Sequence, residues 1–170
     1  MTETQRDAIS PAATGLMIYQ TVATTGFYYF NGSSWSELDA TDKTYTVNTF
    51  YAELGGYVIE VNSDGTHGLV VAMQDQGVAA WYWADDLLNN AVNHNTNGRK
   101  FMDWRLPTKR DLNLMYGVYI NGNGARLNTY YYWSSSEQND IYAWTQYLFS
   151  GAQTSVNKLN THCVRAVRVF

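Results

Sequence analysis

One cysteine, two prolines and three histidines are all that the 170 residues contain of those types. With Cys163 alone, neither an intrachain disulfide nor a four-cysteine zinc site can form. Two prolines do not make a proline-rich linker, and no low-complexity tract or internal repeat stands out. Charge is scarce as well. Asp, Glu, Lys and Arg make up 15% of the chain, against about a quarter in an ordinary globular domain. The 11 basic residues are outnumbered by 15 acidic ones, for a net charge of −4, so the cationic face that nucleic acid requires is not expected. No apolar run approaches the roughly 18 residues of a membrane span. The opening MTETQRDAIS lacks the basic-then-apolar layout of a secretory signal. No nucleic-acid partner and no membrane insertion are expected.

What replaces charge is aromatic and neutral polar chemistry. Aromatics are 15% of the chain, with 14 Tyr against 6 Trp and 6 Phe. Tyr set among Ser, Asn and Gly is the palette of recognition surfaces, because rigid amphipathic rings make contact at low entropy cost. The same composition also suits an aromatic core under a weakly charged surface. The length suits one domain with a small appendage, and a chain of this size buries about 70% of its unfolded surface without a metal or disulfide.

The order of local signals divides the chain near residue 40. Thr4–Ser10 reads as a helical turn or two, ended by Pro11. LMIYQT at 16–21 and FYYF at 27–30 read as short strands rich in β-formers, and Asn31-Gly32 as a turn. Residues 1–40 are therefore expected to form a hairpin-like attachment module, with 39–46 as connector and 41–170 as the main domain. There, Tyr57–Val61 alternates toward a strand, and LVVAM at 69–73 suggests a buried one. Ala84, Leu87, Leu88, Ala91 and Val92 follow a helical stripe, as do Leu112, Met115, Tyr116, Tyr119 and Ile120 after Pro107. Thr108 and Asp111 stand at capping-box spacing for that second helix. Thr129–Trp133, Ala143–Phe149 and Val164–Phe170 read as further strands. Two helices among short antiparallel strands, with no βαβ repeat, predict an α+β fold.

Catalytic patterns are weak. Ser134, Ser135 and Ser136 lack a G-x-S-x-G elbow and read as hydroxyls satisfying nearby backbone. His67, His94 and His162 stand in separate turn-like contexts. No H-x-x-x-H or C-x-x-C spacing occurs, so no metal or other cofactor is expected. Glu137, Asn139 and Asp140 are oxygen donors within one loop-like stretch, but the spacing fits no EF-hand, and a calcium role has no support. Asn121-Gly122-Asn123-Gly124 follows a helix rather than a strand, the wrong context for a phosphate cradle. No enzymatic activity is expected.

The last third carries a series of landmarks: Trp104-Arg105-Leu106-Pro107-Thr108, then Tyr132-Trp133-Ser134-Ser135-Ser136-Glu137, Ala143-Trp144, Phe149-Ser150-Gly151, and Val164 to Phe170 (VRAVRVF). In this order they resemble a bacterial and phage family with the C-type-lectin fold of the formylglycine-generating-enzyme subtype, over roughly residues 56–170. The oxidase that names the subtype uses a cysteine pair, which this chain lacks. Residues 4–38 separately resemble a module placed ahead of such domains in bacterial surface and phage tail proteins. A narrower similarity is to the variable proteins of diversity-generating retroelements, in which adenine-directed mutagenesis rewrites asparagine-type codons near the gene's end.

That resemblance implies a variable region over about 133–170, displayed on a ligand-facing surface. The ligand contacts it implies are Asn139, Asp140, Ile141, Tyr142, Thr145, Tyr147, Ser155, Val156, Asn157, Leu159, Asn160, Thr161, His162 and Cys163. All are reachable from asparagine codons through adenine changes. The stretches 139–142, 155–157 and 159–163 fit that picture, and 139–142 and 159–163 read as irregular, without strand or helix period. Trp104, Trp133, Trp144 and Phe149 are expected to be buried rings stiffening the platform. Arg165 and Arg168 are read as structural, at least one of them buried and paired with Glu137 or Asp111. The implied protein binds a protein or glycan receptor on a target cell. It is displayed on a virion tail or a bacterial cell surface, with a homo-oligomer possible through its N-terminal module. The alternative is a constant carbohydrate-binding or structural adhesin-tip domain.

Overall fold

A computed structural model describes residues 1–38 and 43–170. The chain divides into two compact units, Met1–Asp42 and Lys43–Phe170. The expected connector at 39–46 falls partly outside the described residues.

The first unit holds a short helix, α1 (Glu3–Asp7), and a three-stranded sheet of β1 (Met17–Gln20), β2 (Gly26–Phe30) and β3 (Trp35–Glu37). Thr2 and Gln5 cap α1 reciprocally. The turn after β2 forms because Asn31 Oδ1 accepts the amides of Ser33 and Ser34 at 3.0 and 2.9 Å. The hairpin read from the sequence thus gains a third strand through Trp35.

The second unit is mixed α+β and mostly sheet. Its four-stranded sheet has the order β12-β6-β5-β4, formed by β4 (Thr49–Tyr51), β5 (Gly56–Val61), β6 (Gly68–Ala72) and β12 (Val167–Val169). The five-stranded sheet has the order β10-β9-β8-β11-β7, formed by β7 (Gly77–Ala80), β8 (Tyr131–Glu137), β9 (Tyr142–Tyr147), β10 (Ala152–Asn157) and β11 (Thr161–Val164). Every pairing is antiparallel except β11 with β8.

The apolar run of β6 is unbroken because the sheet is covered on both faces. Val70 and Ala72 join Trp104, Leu106, Trp133 and Val164 in one core cluster. Leu69 and Val71 join Leu112, Met115, Val118 and Tyr132 in the other. The second cluster is closed by α3 (Lys109–Ile120). Thr108 Oγ1 accepts the Asp111 amide at 3.1 Å, and the Asp111 carboxylate accepts the Thr108 amide at 3.0 Å, which is the expected capping box.

The earlier helix is shorter than its stripe predicted. α2 covers Ala84–Asn89 and stops where Asn90 turns extended, with its side chain accepting the Val92 amide to start a separate 3₁₀ turn. Leu88 is buried as expected, but Val92 is exposed. The asparagine ended the helix by offering its own cap.

Candidate ligand-binding surface

The landmark segments meet in space as a scaffold. Arg105 and Val167 exchange both backbone hydrogen bonds at 2.9 Å. The Ser135 amide donates to the Pro107 carbonyl at 2.8 Å, and the Lys109 amide to Ser136 Oγ at 3.2 Å. Trp133 is fully buried, and its Nε1 donates to the Ala79 carbonyl at 2.9 Å. The Trp81 indole does the same for the Ser134 carbonyl at 2.8 Å. Ser134 Oγ donates to the Trp144 carbonyl at 2.8 Å. These serines satisfy backbone across a break in the β8–β9 register between Trp133 and Glu137.

Two of the four expected support rings, Trp104 and Trp133, are buried. Trp144 is only half-buried, with the Lys109 ammonium 3.3 Å from its ring centroid. Phe149 is 66% exposed at the β9–β10 turn. It belongs to the surface because Gly151 turns the chain there with φ +74° and fits flush against the Tyr116 ring, 2.6 Å from where a Cβ would sit.

Thr161–Cys163, which read as irregular, are strand residues of β11, and Ser155–Asn157 belong to β10. Their period is hidden because both sheet faces here carry polar residues. The β9–β10 register places Tyr142 opposite Asn157, Trp144 opposite Ser155, and Tyr147 opposite Ala152.

The proposed contact residues fall into two groups. The first is a corner at the β8–β9 and β10–β11 turns. Asn139 Oδ1 accepts the amides of Ile141 and Tyr142, each at 2.9 Å. Asn157 Oδ1 accepts that of Leu159 at 2.9 Å. Fixed in this way, Ile141 stands 56% exposed and Leu159 74%. Asn139, Asp140, Tyr142, Asn160 and Thr161 are exposed around them, and Ser155, Val156 and Asn157 are half-buried. Beneath the corner Lys158 is buried. Its ammonium donates to the Glu137 carboxylate and to the Asp140 carbonyl at 3.1 Å, and lies 4.6 Å from the Trp81 ring centroid. The Glu137 and Asn139 oxygens thus already have protein partners, and among the described residues no group of three or more His, Cys, Asp or Glu is placed to hold a metal ion.

The second group is an aromatic groove of about 270 Å³ lined by Val78, Tyr130, Tyr131, Thr161, His162 and Cys163. Tyr131 stacks on Tyr147 with centroids 4.5 Å apart. Tyr147 in turn leans toward Phe149 at 6.0 Å. His162 sits edge-on to Trp133 at 4.8 Å, and its Nε2 has no hydrogen-bond partner. Burial holds this imidazole below its ordinary pKa. Burial also pushes the neighbouring Cys163 thiol up to about 11, which leaves it a poor nucleophile near neutral pH.

One stretch borders both groups. Ala79 pairs with His162 and Ala80 with Thr161. The Trp81 amide donates to the Lys158 carbonyl at 2.9 Å, and the Tyr82 hydroxyl to the Asp140 carbonyl at 3.0 Å. Two named contacts do not belong on this surface. Thr145 is fully buried, its hydroxyl donating to the Thr154 carbonyl at 3.1 Å, and Cys163 shows only a sliver at the groove floor. Conversely Val78, Tyr82, Tyr130 and Tyr131 are exposed apolar or aromatic residues bordering the surface that sequence reasoning missed. No alternation marked the last two: Tyr130 and Tyr131 are adjacent and both exposed, whereas Tyr132 and Trp133 are adjacent and both buried.

The guanidinium expectation is corrected in its partners. Arg165 is buried and pairs with Asp75 at 2.8 Å, while Arg168 pairs with Asp103 at 2.8 Å. Asp111 is taken by Arg105, and Glu137 by Lys158.

None of the curated proteins searched matches the chain. Residues 1–49 match the family described as phage tail like trimerisation region, which fits a protein of a virion tail. Among the described residues no helix is long and apolar enough to cross a membrane. Residues 35–168 match the Lcl C-terminal domain family, and with that match spanning most of its length the chain belongs to that family.

Proposed function

We propose that this chain is a non-enzymatic receptor-binding protein of a phage tail. It binds a protein or glycan on a target cell through a diversified surface over residues 139–163, in a C-type-lectin-type fold of the formylglycine-generating-enzyme subtype. The N-terminal unit assembles the protein as a trimer. The observation that carries the binding reading is the contrast between the two layers of the site. The landmark residues Trp133 and Ser134 are buried and bonded to the sheet backbone, whereas Ile141, Tyr142 and Leu159 are exposed at the β8–β9 and β10–β11 turns. Large apolar side chains gathered at exposed turns mark contact surfaces. The landmark order and the sheet-rich α+β architecture support the fold reading. The spent hydroxyl of Ser134 and the high Cys163 pKa support the absence of catalysis.

The test is adsorption. The triple variant Ile141→Ser, Tyr142→Ser, Leu159→Ser is expected to keep its melting temperature within a few degrees and to lose target-cell binding at least tenfold. Unchanged binding by a folded variant overturns the assignment. Diversification is tested in the neighbouring DNA, which should carry a reverse transcriptase and a near-copy of this gene's end, asparagine-rich at positions 139–163. A glycan array then separates sugar from protein receptors.

A further inference from the structure

The sheet of the N-terminal unit has two unlike faces. One carries Ile18, Gln20 and Tyr28, all buried. Arg6 of α1 covers it, donating to Gln20 Oε1 at 3.0 Å and lying 4.8 Å from the Tyr28 ring centroid. The other face is set by the strand register. Met17 is opposite Tyr29, which is opposite Ser36. Tyr19 is opposite Phe27, whose carbonyl accepts the Leu38 amide at 2.7 Å. Two cross-strand rows result, Met17–Tyr29–Ser36 and Tyr19–Phe27–Leu38. Five of the six side chains are apolar or aromatic. Met17 and Phe27 are each 53% exposed, and Tyr19 and Leu38 are similarly open.

We propose that this face is where copies of the chain meet around a three-fold axis. The proposal rests on the trimeric reading above and names the surface that makes it. Two observations select this face. Residues at a three-fold axis meet their own copies, so a charge there would confront its own sign. None of the six positions is charged, while the unit's described charges, Glu3, Arg6, Asp7 and Glu37, all lie elsewhere: three in α1, and Glu37 beside Tyr28 on the covered face. The free edge of β1 is also already engaged. The Met1 nitrogen donates to the Tyr19 carbonyl, and the Met1 carbonyl accepts the Thr21 amide, both at 2.8 Å. Joining by strand addition at that edge is therefore blocked, while the apolar sheet face stays open.

Sedimentation velocity on the full chain tests this. The unaltered protein is expected to run as a trimer at micromolar concentration. Phe27→Glu is expected to run as a monomer with unchanged far-ultraviolet circular dichroism, and Ser33→Glu, in the β2–β3 turn, to stay trimeric. A trimeric Phe27→Glu overturns the assignment of the face and leaves the trimeric reading intact. A monomeric unaltered chain overturns the trimeric reading and this proposal with it. Should Phe27→Glu fail to fold, Tyr19→Cys in a Cys163→Ser background decides the question. Mild oxidation is expected to give a two-chain band on a non-reducing gel, with Ser33→Cys giving none. No cross-link through Tyr19→Cys overturns the face.

Discussion

The residue that most constrains this molecule is Arg165. Its guanidinium is almost completely buried, and burial draws its pKa below the usual arginine range while Asp75 opposes that shift. Around it, Tyr132 Oη donates to the Asp75 carboxylate at 3.0 Å, Asn128 Nδ2 donates to the same carboxylate at 2.7 Å, and the guanidinium donates to the Ala125 carbonyl. Removing the carboxylate would leave a buried cation without its counter-charge. Asp75→Ala is therefore expected to lose about 3–5 kcal/mol of stability. Urea unfolding followed by tryptophan fluorescence checks it, and a loss under about 1 kcal/mol would mean that the guanidinium finds water instead. The sequence predicts at least one of the two arginines to be buried and paired, but Arg165 falls in the break between β11 and β12 rather than within one alternating strand. The sequence could not name the partner, because Asp75 lies 90 positions away, and only tertiary folding sets such a distance.

At the scale of the element, α3 was almost wholly legible. A capping pair, an apolar stripe and a glycine exit are local signals, and each acts through bonds within a few residues. The cap is also used beyond the helix, since Asp111 accepts from Arg105 at 2.8 Å as well as from the Thr108 amide. Thr108→Ala is expected to cost about 1 kcal/mol, a fall in melting temperature of about 2–4 °C for a chain of this size, measured by calorimetry. α2 was less legible because Asn90 competes with the helix for its own backbone, and a stripe count does not register that competition. β7, β10 and β11 were missed as strands for another reason. β10 and β11 carry polar residues on both faces, which dilutes the apolar alternation that marks a half-buried strand, and β7 is only the four residues GVAA.

For the molecule as a whole, histidine burial sets a pH dependence. Burial lowers the pKa of both His94 and His162. His94 lies stacked on Trp104 at 5.2 Å with one ring nitrogen 2.7 Å from the Leu88 carbonyl. The folded state holds both imidazoles neutral, so as pH falls through about 6.5 the unfolded chain takes up protons that the folded one refuses. Stability is thus full above that pH and declines below it, by at most about 1.4 kcal/mol per pH unit per histidine. The urea midpoint is expected to fall between pH 7.5 and 5.5, and His162→Asn to flatten that slope. A flat profile in the unaltered protein would show that water reaches both rings. The sequence by itself determined the α+β class and the capped helix, because periodicity and capping act over neighbouring positions. The tertiary structure alone decided which side chains reach solvent. Thr145 is sealed between β9 and β10, whereas Val78, Tyr82 and Tyr131 emerge, because exposure depends on what packs across a sheet from distant parts of the chain.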